Sequence, residues 1–406
     1  MPPSMRRIAF YSYDERGVGH VRRSIAIAHA IAADRPSSIL LVAGAREAAL
    51  FKLPEGTDTL ALPAPSTDFN GDRRGPATGL DTAGTVRLRG RALRNALAAF
   101  GPEVLIVDRL PLGVHDELAD SLGVLRAMGT RLVLGLRDVL DAPEAVRAEF
   151  ARPTALAILR EHYDEIWVYG DADVHDVAAE YDLPADIAAM VRYTGYLDRR
   201  PAERPAGRDL VARRRELRLP DDRLALCVLG GGEDGRALAT AFARAALPAG
   251  TTGVIVAGPF MPDGAREALH ALADGRTDMR VLDFVPDADT LIALADDVVA
   301  MGGYNAVCEI VASGSRALVV PRARAREQLI RARRLAALGA LDMLEPERLS
   351  PDAIARWLAD GPAEPAPRPR ADVDLDGLDR IPALLDALTA EDDDVRRTAR
   401  TGSLRS

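Results

Sequence analysis

The chain has 406 residues and a formal net charge of -9 at pH 7, with a sequence pI near 5.4. This acidic balance argues against a general nucleic-acid binder, because such proteins carry clustered positive charge. Hydrophobic residues make up 48% and charged residues 28% of the chain, which suffices for packed cores, and the length predicts two or three domains.

The cysteines and the apolar runs bear on the cellular compartment. Cys227 and Cys308 each stand beside a valine, so we expect buried thiols in a reducing environment. The sequence has neither a Cys-x-x-Cys pair nor a His-x-x-x-His pair, and we expect no metal site. No run approaches the roughly 20 apolar residues that span a bilayer. These features predict a cytoplasmic protein, and peripheral contact with a membrane stays open.

The first half of the chain alternates short apolar runs with longer helical patterns. Strands that are apolar throughout are buried on both faces, and with helices between them they are typical of a parallel α/β sheet. We therefore predict an N-terminal Rossmann-like domain over residues 1–197. Its strand-like runs are RIAFYSY, SILLVAG, VLIVD, RLVLGLRDV and EIWVYG.

The second half repeats this kind of architecture after a break. Residues 198–209, DRRPAERPAGRD, lack apolar periodicity and predict a linker. A second Rossmann-like domain is predicted over 210–372, with a proline-rich loop near its end. Residues 373–390 predict a C-terminal helix that packs back on the first domain, and the charged residues 391–406 predict a disordered tail.

Glycines follow the predicted strands at three strand-to-helix junctions. Glycine tolerates positive φ and lets a ligand approach the backbone closely. The N–H groups at the start of the following helix favour an anion such as phosphate. Since ligands of open α/β sheets bind at the carboxyl ends of the strands, the loops predict a cleft between two domains for a phosphate-bearing ligand. The loops are residues 17–20 (GVGH), 230–235 (GGGEDG) and 302–305 (GGYN).

The first loop departs from the dinucleotide fingerprint. Residues 17–22 read GVGHVR, with arginine where Gly-x-Gly-x-x-Gly requires the last glycine. A plain NAD enzyme is therefore disfavoured.

The stretch MGGYNAVCEIVASGSRALVVPRARAREQLIRARRLAALGALDML, residues 301–344, carries a resemblance. It resembles the nucleotide-sugar-binding region of GT-B glycosyltransferases, and is closest to the group of the lipid-linked N-acetylglucosaminyltransferase of peptidoglycan synthesis and its bacterial relatives. In the first domain the resemblance is limited to the glycine loop with His20 and the strand pattern. It implies a GT-B fold and a UDP-sugar as co-substrate, without a further cofactor.

The resemblance also implies roles for individual residues. Glu309 corresponds to the carboxylate that accepts hydrogen bonds from the donor ribose, and Gln328, beside Glu327, to the residue that reads sugar hydroxyls. Phe284 and Val285 correspond to the turn that faces the uracil edge. The loops that face the phosphates correspond to Gly19, Gly230, Gly231, Gly232, Gly302, Gly303 and Asn305.

The implied reaction is sugar transfer to an acceptor hydroxyl without a bound metal. His20 is the candidate base, because its ordinary pKa lies near neutrality, and Asp108, at the end of the run VLIVD, borders the same cleft. Arg109 and His115 follow in that loop. The arginine-rich run 322–334 predicts a solvated helix face, from which Arg322 or Arg324 would reach the diphosphate.

Other functions on this architecture stay open. UDP-sugar hydrolases share a Gly-His-x-x-Arg loop, which Gly19, His20 and Arg23 match, and there water replaces the acceptor. A UDP-N-acetylglucosamine 2-epimerase and a non-enzymatic nucleotide-sugar sensor are further alternatives. The acceptor, a small molecule or lipid-linked, and the ligand of the polar loop 66–79 are not readable from the sequence.

Overall fold

The protein contains two parallel β-sheets with helices between successive strands. This arrangement confirms the predicted α/β fold of two Rossmann-like domains. The computed structural model describes residues 5–12, 19–44, 51–63, 66–67, 73–74, 79–199, 207–285, 288–361 and 372–402.

The first sheet has seven strands in the order β3-β2-β1-β6-β7-β8-β9, all parallel to their neighbours. Its central strand β6, with the sequence VLIVD, is buried at every residue, as a strand covered on both faces requires. A short antiparallel pair, β4 and β5, lies apart from this sheet. The strands are β1 (Arg6–Tyr11), β2 (Ser37–Ala43), β3 (Thr57–Ala61), β4 (Ser66–Thr67), β5 (Arg73–Arg74), β6 (Val104–Asp108), β7 (Arg131–Arg137), β8 (Glu165–Tyr169) and β9 (Val191–Tyr193).

Helices connect these strands on both faces of the sheet. Helix α1 follows β1 directly and buries the apolar residues of one face, from Val21 to Ile31, against the sheet. The helices are α1 (Gly19–Asp34), α2 (Thr82–Phe100), α3 (Ala119–Ala127), α4 (Pro143–Phe150), α5 (Pro153–His162), α6 (Val177–Glu180) and α7 (Ala185–Ala188).

The second sheet has six parallel strands in the order β12-β11-β10-β13-β14-β15. Its strands are β10 (Arg223–Val228), β11 (Thr251–Val256), β12 (Met279–Leu282), β13 (Asp297–Ala300), β14 (Arg316–Val319) and β15 (Asp342–Met343). Its helices are α8 (Gly207–Glu216), α9 (Arg236–Arg244), α10 (Asp263–Asp274), α11 (Ala288–Leu294), α12 (Tyr304–Ser313), α13 (Arg326–Ala337) and α14 (Pro351–Ala359).

The last described helix lies on the first domain. Helix α15 (Gly377–Gly402) packs against α1, and Arg35 Nη2 lies 2.5 Å from Asp386 Oδ2 of α15. The helix continues to Gly402, whereas the sequence predicts a disordered tail from residue 391. The reason is visible in the sequence, because acidic residues stand four positions before arginines there, a spacing that favours a helix without apolar residues.

Three segments that were predicted to be irregular lie mainly outside the described residues. Of the predicted linker 198–209, the structure describes 198–199 and the start of α8 at Gly207. Most of the polar loop 66–79 and of the proline-rich loop 361–370 is likewise not described. Among the described helices, none combines the length and the apolarity needed to cross a bilayer.

Candidate active site

His20 and Asp108 meet at the carboxyl edge of the first sheet. His20 lies in the first turn of α1, which follows β1, and Asp108 ends the neighbouring strand β6. The His20 Nδ1 and Asp108 Oδ2 atoms are 2.6 Å apart, and Asp108 Oδ1 accepts a hydrogen bond from Arg23 Nη2 at 2.5 Å. The strand order thus brings together the two residues that the sequence analysis placed in one cleft.

The charges around Asp108 keep it ionised. Burial alone raises the pKa of a carboxyl group, but the charge of Arg23 and the interactions with His20 outweigh burial and bring the pKa of Asp108 to about 2. An ionised carboxylate only accepts hydrogen bonds, so the hydrogen of the imidazole sits on Nδ1. The basic lone pair of His20 then belongs to Nε2.

Burial also sets the charge state of His20. It lowers the pKa of the imidazole below its ordinary 6.5, although Asp108 acts in the opposite direction. His20 is therefore neutral at pH 7. A neutral imidazole with a carboxylate on Nδ1 is the arrangement that a general base needs.

The glycine loops of the second domain lie at the carboxyl ends of β10 and β13. Gly232 has φ 89° and Gly302 has φ 83°, a region that side chains resist. A Cβ at Gly232 would collide with the Ala257 carbonyl, and a Cβ at Gly302 would lie 2.7 Å from Val319 Cγ1. Tight packing therefore requires glycine at both positions, whatever the loops bind.

The other loop glycines differ from one another in the sign of the backbone angle φ. Gly230 also has a positive φ, whereas Gly19, Gly231 and Gly303 do not. Gly19 has no left-handed conformation because it already belongs to helix α1. Gly303 is the N-cap of α12, and nothing lies within 4 Å of where its Cβ would be.

The starts of α1 and α12 face each other across the two domains. Asn305 Nδ2 donates a hydrogen bond to the Gly19 carbonyl at 3.0 Å. The first turn of α12 and the glycines before it therefore stand next to His20, and both helices point their N-termini, with the partial positive charge of the backbone dipoles, towards this place.

The carboxylate of Glu309 interacts with two arginines of the protein. Its side chain is 5% exposed and forms an ion pair with Arg199, and its Oε1 lies 3.5 Å from Arg22 Nη2. Arg22 belongs to α1, whereas Glu309 lies one turn after Asn305 on α12. The carboxylate that was predicted to hold a ribose thus joins the two domains in this structure.

Gln328 and Glu327, which were predicted to contact the sugar of the donor substrate, differ in accessibility. Gln328 is buried and its Oε1 accepts a hydrogen bond from the Arg322 backbone N–H at 3.1 Å. Glu327 lies between two arginines, 3.8 Å from Arg137 Nη1 of β7 and 3.9 Å from Arg322 Nη2. The Glu327 carboxylate therefore faces Arg137 of the first domain, whereas the neutral Gln328 side chain is buried within the second domain.

The turn after β12 carries Phe284 and Val285. Phe284 is 37% exposed, whereas Val285 is buried in the core of the second domain. An exposed aromatic ring beside a buried anchor suits a surface that receives a flat base.

The loop after Asp108 has an unusual backbone. Arg109, His115 and Asp116 all have positive φ, and the side chains of His115 and Asp116 are exposed. Arg109 lies 3.4 Å from Glu149 rather than against His20. Within the described residues, no group of three or more His, Cys, Asp or Glu side chains is arranged to hold a metal ion.

Several residues of this region escaped the sequence analysis. Arg331 lies in the run that was predicted to be a solvated face, yet it is fully buried and pairs with Asp138 of the first domain. Arg334, three residues later, donates to the Val174 carbonyl at 3.0 Å. The prediction of a solvated face is thus wrong at Arg331, which lies with the half-buried Arg334 on the side of α13 that docks on the first domain, whereas Arg326 and Arg333 are exposed.

Residues 226–371 match the family model of the glycosyltransferase family 28 C-terminal domain. The match covers the second sheet from β10 onward, and with it the glycine loops, α12 and α13. It supports the predicted resemblance in the part of the chain where the sequence analysis found it.

Solved structures show the same fold along nearly the whole chain. The calicheamicin glycosyltransferase CalG4 is 18% identical, with a TM-score of 0.58 over 95% of this chain and 99% of its own. MurG of Acinetobacter baumannii is 16% identical, with a TM-score of 0.51 over 87% of this chain and 90% of its own. UDP-GlcNAc 2-epimerase from Neisseria meningitidis, bound to UDP-GlcNAc, is 12% identical, with a TM-score of 0.59 over 95% of this chain and 100% of its own. The chain therefore has the GT-B fold, and residues 226–371 are similar to the family 28 C-terminal domain.

Proposed function

We propose that this GT-B protein with its family 28 C-terminal domain is a glycosyltransferase that moves a sugar from a UDP-sugar to an acceptor hydroxyl. The observation that carries the proposal is the His20–Asp108 pair, which stands opposite the glycine-capped start of α12. A base and an anion-binding helix start, one from each domain, are what the transfer requires.

In the proposed reaction, His20 Nε2 takes the proton of the acceptor hydroxyl as its oxygen attacks the anomeric carbon. The bond from that carbon to the diphosphate breaks, and UDP leaves with the electron pair. Asp108 stays ionised and stabilises the imidazolium. The backbone N–H groups at Gly303 and the first turn of α12 stabilise the charge on the leaving diphosphate.

The donor is proposed to lie on the second domain. Phe284 and Val285 receive the uracil, and Glu309 receives the ribose after Arg199 has moved away. Glu327 receives sugar hydroxyls, while Gln328 fixes the loop at Arg322. The proposed donor sugar is of the N-acetylhexosamine type, as the resemblance of residues 301–344 implies, and the proposed acceptor, a small molecule or lipid-linked, binds on the first domain.

The proposal is tested by incubating the protein with UDP-N-acetylglucosamine, with and without pooled hydroxyl acceptors, and measuring UDP release and sugar products. We expect acceptor-dependent UDP release, which His20→Ala lowers by about 10²–10⁴-fold while UDP binding persists. His29→Ala is the matched control, since His29 lies on the same helix with an exposed side chain. Full activity in His20→Ala contradicts the proposed base.

A second candidate is a UDP-sugar hydrolase or 2-epimerase. The epimerase of Neisseria meningitidis superposes with a TM-score of 0.59, against 0.58 for CalG4, so the fold does not separate these classes. In a hydrolase the same His20–Asp108 pair would activate water. Free sugar released without an acceptor would identify a hydrolase, and an epimerised UDP-sugar would identify an epimerase.

A further inference from the structure

Arg23 is the third member of the cluster around Asp108. Its side chain is only 4% exposed. From α1, one turn after His20, the same Nη2 atom lies 2.5 Å from Asp108 Oδ1 and 2.9 Å from His20 Nδ1. One guanidinium therefore touches both members of the proposed catalytic pair.

Aromatic rings from both domains cover this guanidinium. The Arg23 Cζ atom lies 5.7 Å from the ring centre of Tyr169, at the end of β8, and 5.5 Å from that of Tyr304, in the second domain. Both distances suit a cation–π interaction, which is stronger where water is excluded. Tyr304 directly follows Gly303, the N-cap of α12.

Tyr304 also packs against Arg331, which forms the buried ion pair with Asp138 between the domains. Its ring centre lies 5.7 Å from Cζ of Arg331 and 6.2 Å from the stacked ring of Tyr196. The glycine loop, the domain contact and the His20 cluster therefore share one buried tyrosine.

We propose that Arg23 is a positioning residue that orients His20 through Asp108, and that Tyr304 makes this orientation depend on the glycine loop of the second domain. The proposal rests on the role of His20 as the base. It adds that residues of both domains hold the base in place. A shift of the loop at Gly302–Gly303 therefore changes the orientation of the His20 imidazole.

Electrostatics explains why a cation belongs beside the base. Asp108 by itself would hold a proton on His20, since a carboxylate favours the imidazolium. Among the described residues, charged groups that act on His20 include Asp108 from β6, Arg23 from α1 and Arg137 from β7. Burial and, in addition, the two arginines oppose protonation, so His20 keeps both the orienting carboxylate and a neutral ring at pH 7.

The decisive measurement is an NMR titration of the His20 ring nitrogens in the ligand-free protein, which needs no substrate. In Arg23→Gln the carboxylate remains and one cation is lost, so we expect the pKa of His20 to rise by roughly one unit or more. Arg94→Gln on the exposed side of α2 is the matched control and leaves that pKa unchanged. An unchanged pKa of His20 in folded Arg23→Gln overturns the proposal.

Tyr304 supplies an independent variant in case Arg23→Gln does not fold. Tyr304→Phe keeps the ring over Arg23 and should leave the titration of His20 as it is. Tyr304→Leu removes the ring and admits water to the guanidinium, so the pKa of His20 should rise in the same direction. Identical titrations in Tyr304→Leu and the wild type overturn the coupling to the second domain.

Turnover separates this proposal from the proposed function. With UDP-N-acetylglucosamine and an active acceptor, we expect Arg23→Gln to lower kcat on the order of tenfold at pH 7 and to change KM little, because the donor contacts lie elsewhere. A shifted pKa of His20 in a protein that turns over no UDP-sugar would retain the positioning role and reject the transferase. Normal kcat together with an unshifted pKa would reject the positioning role alone.

Discussion

The carboxylate of Asp138 and the guanidinium of Arg331 form an ion pair between the two domains, and neither side chain has any exposure to solvent. Arg331 Nη2 lies 2.6 Å from Asp138 Oδ1, and Arg331 Nε lies 2.7 Å from Asp138 Oδ2. Tyr196 donates to the same carboxylate at 2.8 Å, and Arg331 also donates to the Gly302 carbonyl at 3.2 Å. Burial raises the pKa of a carboxyl group, but the charge of Arg331 outweighs it and keeps the pKa of Asp138 below its usual value.

This geometry predicts that Arg331→Met destabilises the protein strongly. The substitution leaves Asp138 buried without a counter-charge, a situation that costs about 3–5 kcal/mol. Urea unfolding at pH 7 measures the loss. The double variant Asp138→Leu/Arg331→Met should recover most of it, since replacing both partners removes the unpaired charge.

Arg333→Met is the control for that experiment. Arg333 lies two residues away on the same helix and pairs with Glu345, and both side chains are exposed. An exposed pair contributes about 0–1 kcal/mol, so this variant should unfold nearly as the wild type does. Equal losses in Arg331→Met and Arg333→Met would contradict the role given to the buried pair.

The fold was predictable where apolar runs coincide with buried parallel strands. The run VLIVD became β6 with the predicted bounds, because both faces of that strand are covered. The edge strand β3, TDTLA, was missed, since its residues are exposed or half-buried and show no continuous apolar run. Buried strands can therefore be recognised from their apolar runs, whereas an exposed edge strand cannot.

The site was predictable only in part, for a similar reason. His20 follows β1 and Asp108 ends the neighbouring strand β6, so the parallel order of the sheet brings them together. Asp138 and Arg331 are 193 positions apart and lie in different domains, so no local sequence pattern predicts their pairing. The involvement of Arg23 had a readable signal, because a spacing of three on a helix places it beside His20.

The charge state of His20 predicts the pH dependence of turnover. Burial lowers the pKa of His20 below 6.5, and the base must be neutral to accept a proton. We therefore expect kcat/KM for UDP-sugar transfer to be level around pH 7 and to fall only when the pH drops below 6.5. Initial rates between pH 5 and 8 measure this profile. A profile that instead falls between pH 8 and 7 would mean that a different group acts as the base.

The contacts of Glu309 predict an increase in UDP affinity when one arginine is removed. Arg199 pairs with the carboxylate that the ribose is proposed to occupy, so the two compete for it. In Arg199→Met we expect UDP to bind about tenfold more tightly, as hydrogen bonds to a charged group contribute about 1.5–3 kcal/mol. Calorimetric titration with UDP measures the change.

Two variants define the outcome of that titration. Glu309→Gln should weaken UDP binding and also lower the stability of the free protein, because Arg22 and Arg199 lose their buried partner. Arg348→Met, at an exposed arginine of the second domain, should bind UDP as the wild type does. Weaker UDP binding in Arg199→Met would show that the arginine helps to hold the nucleotide.

The last prediction contrasts two glycines that the sequence treats alike. Gly302→Ala should destabilise the protein by about 1–3 kcal/mol, because φ is 83° there and the new Cβ would lie 2.7 Å from Val319 Cγ1. Gly19→Ala should be tolerated, since Gly19 is helical and the nearest atom to its Cβ would be Asn305 Nδ2 at 3.7 Å. Alanine even favours a helix relative to glycine. Thermal unfolding of both variants, with UDP-sugar turnover measured beside it, separates packing from function. If Gly19→Ala keeps its stability but loses turnover, the glycine is needed for close approach of a substrate, whereas equal destabilisation of both variants would contradict the helical start of α1 at Gly19.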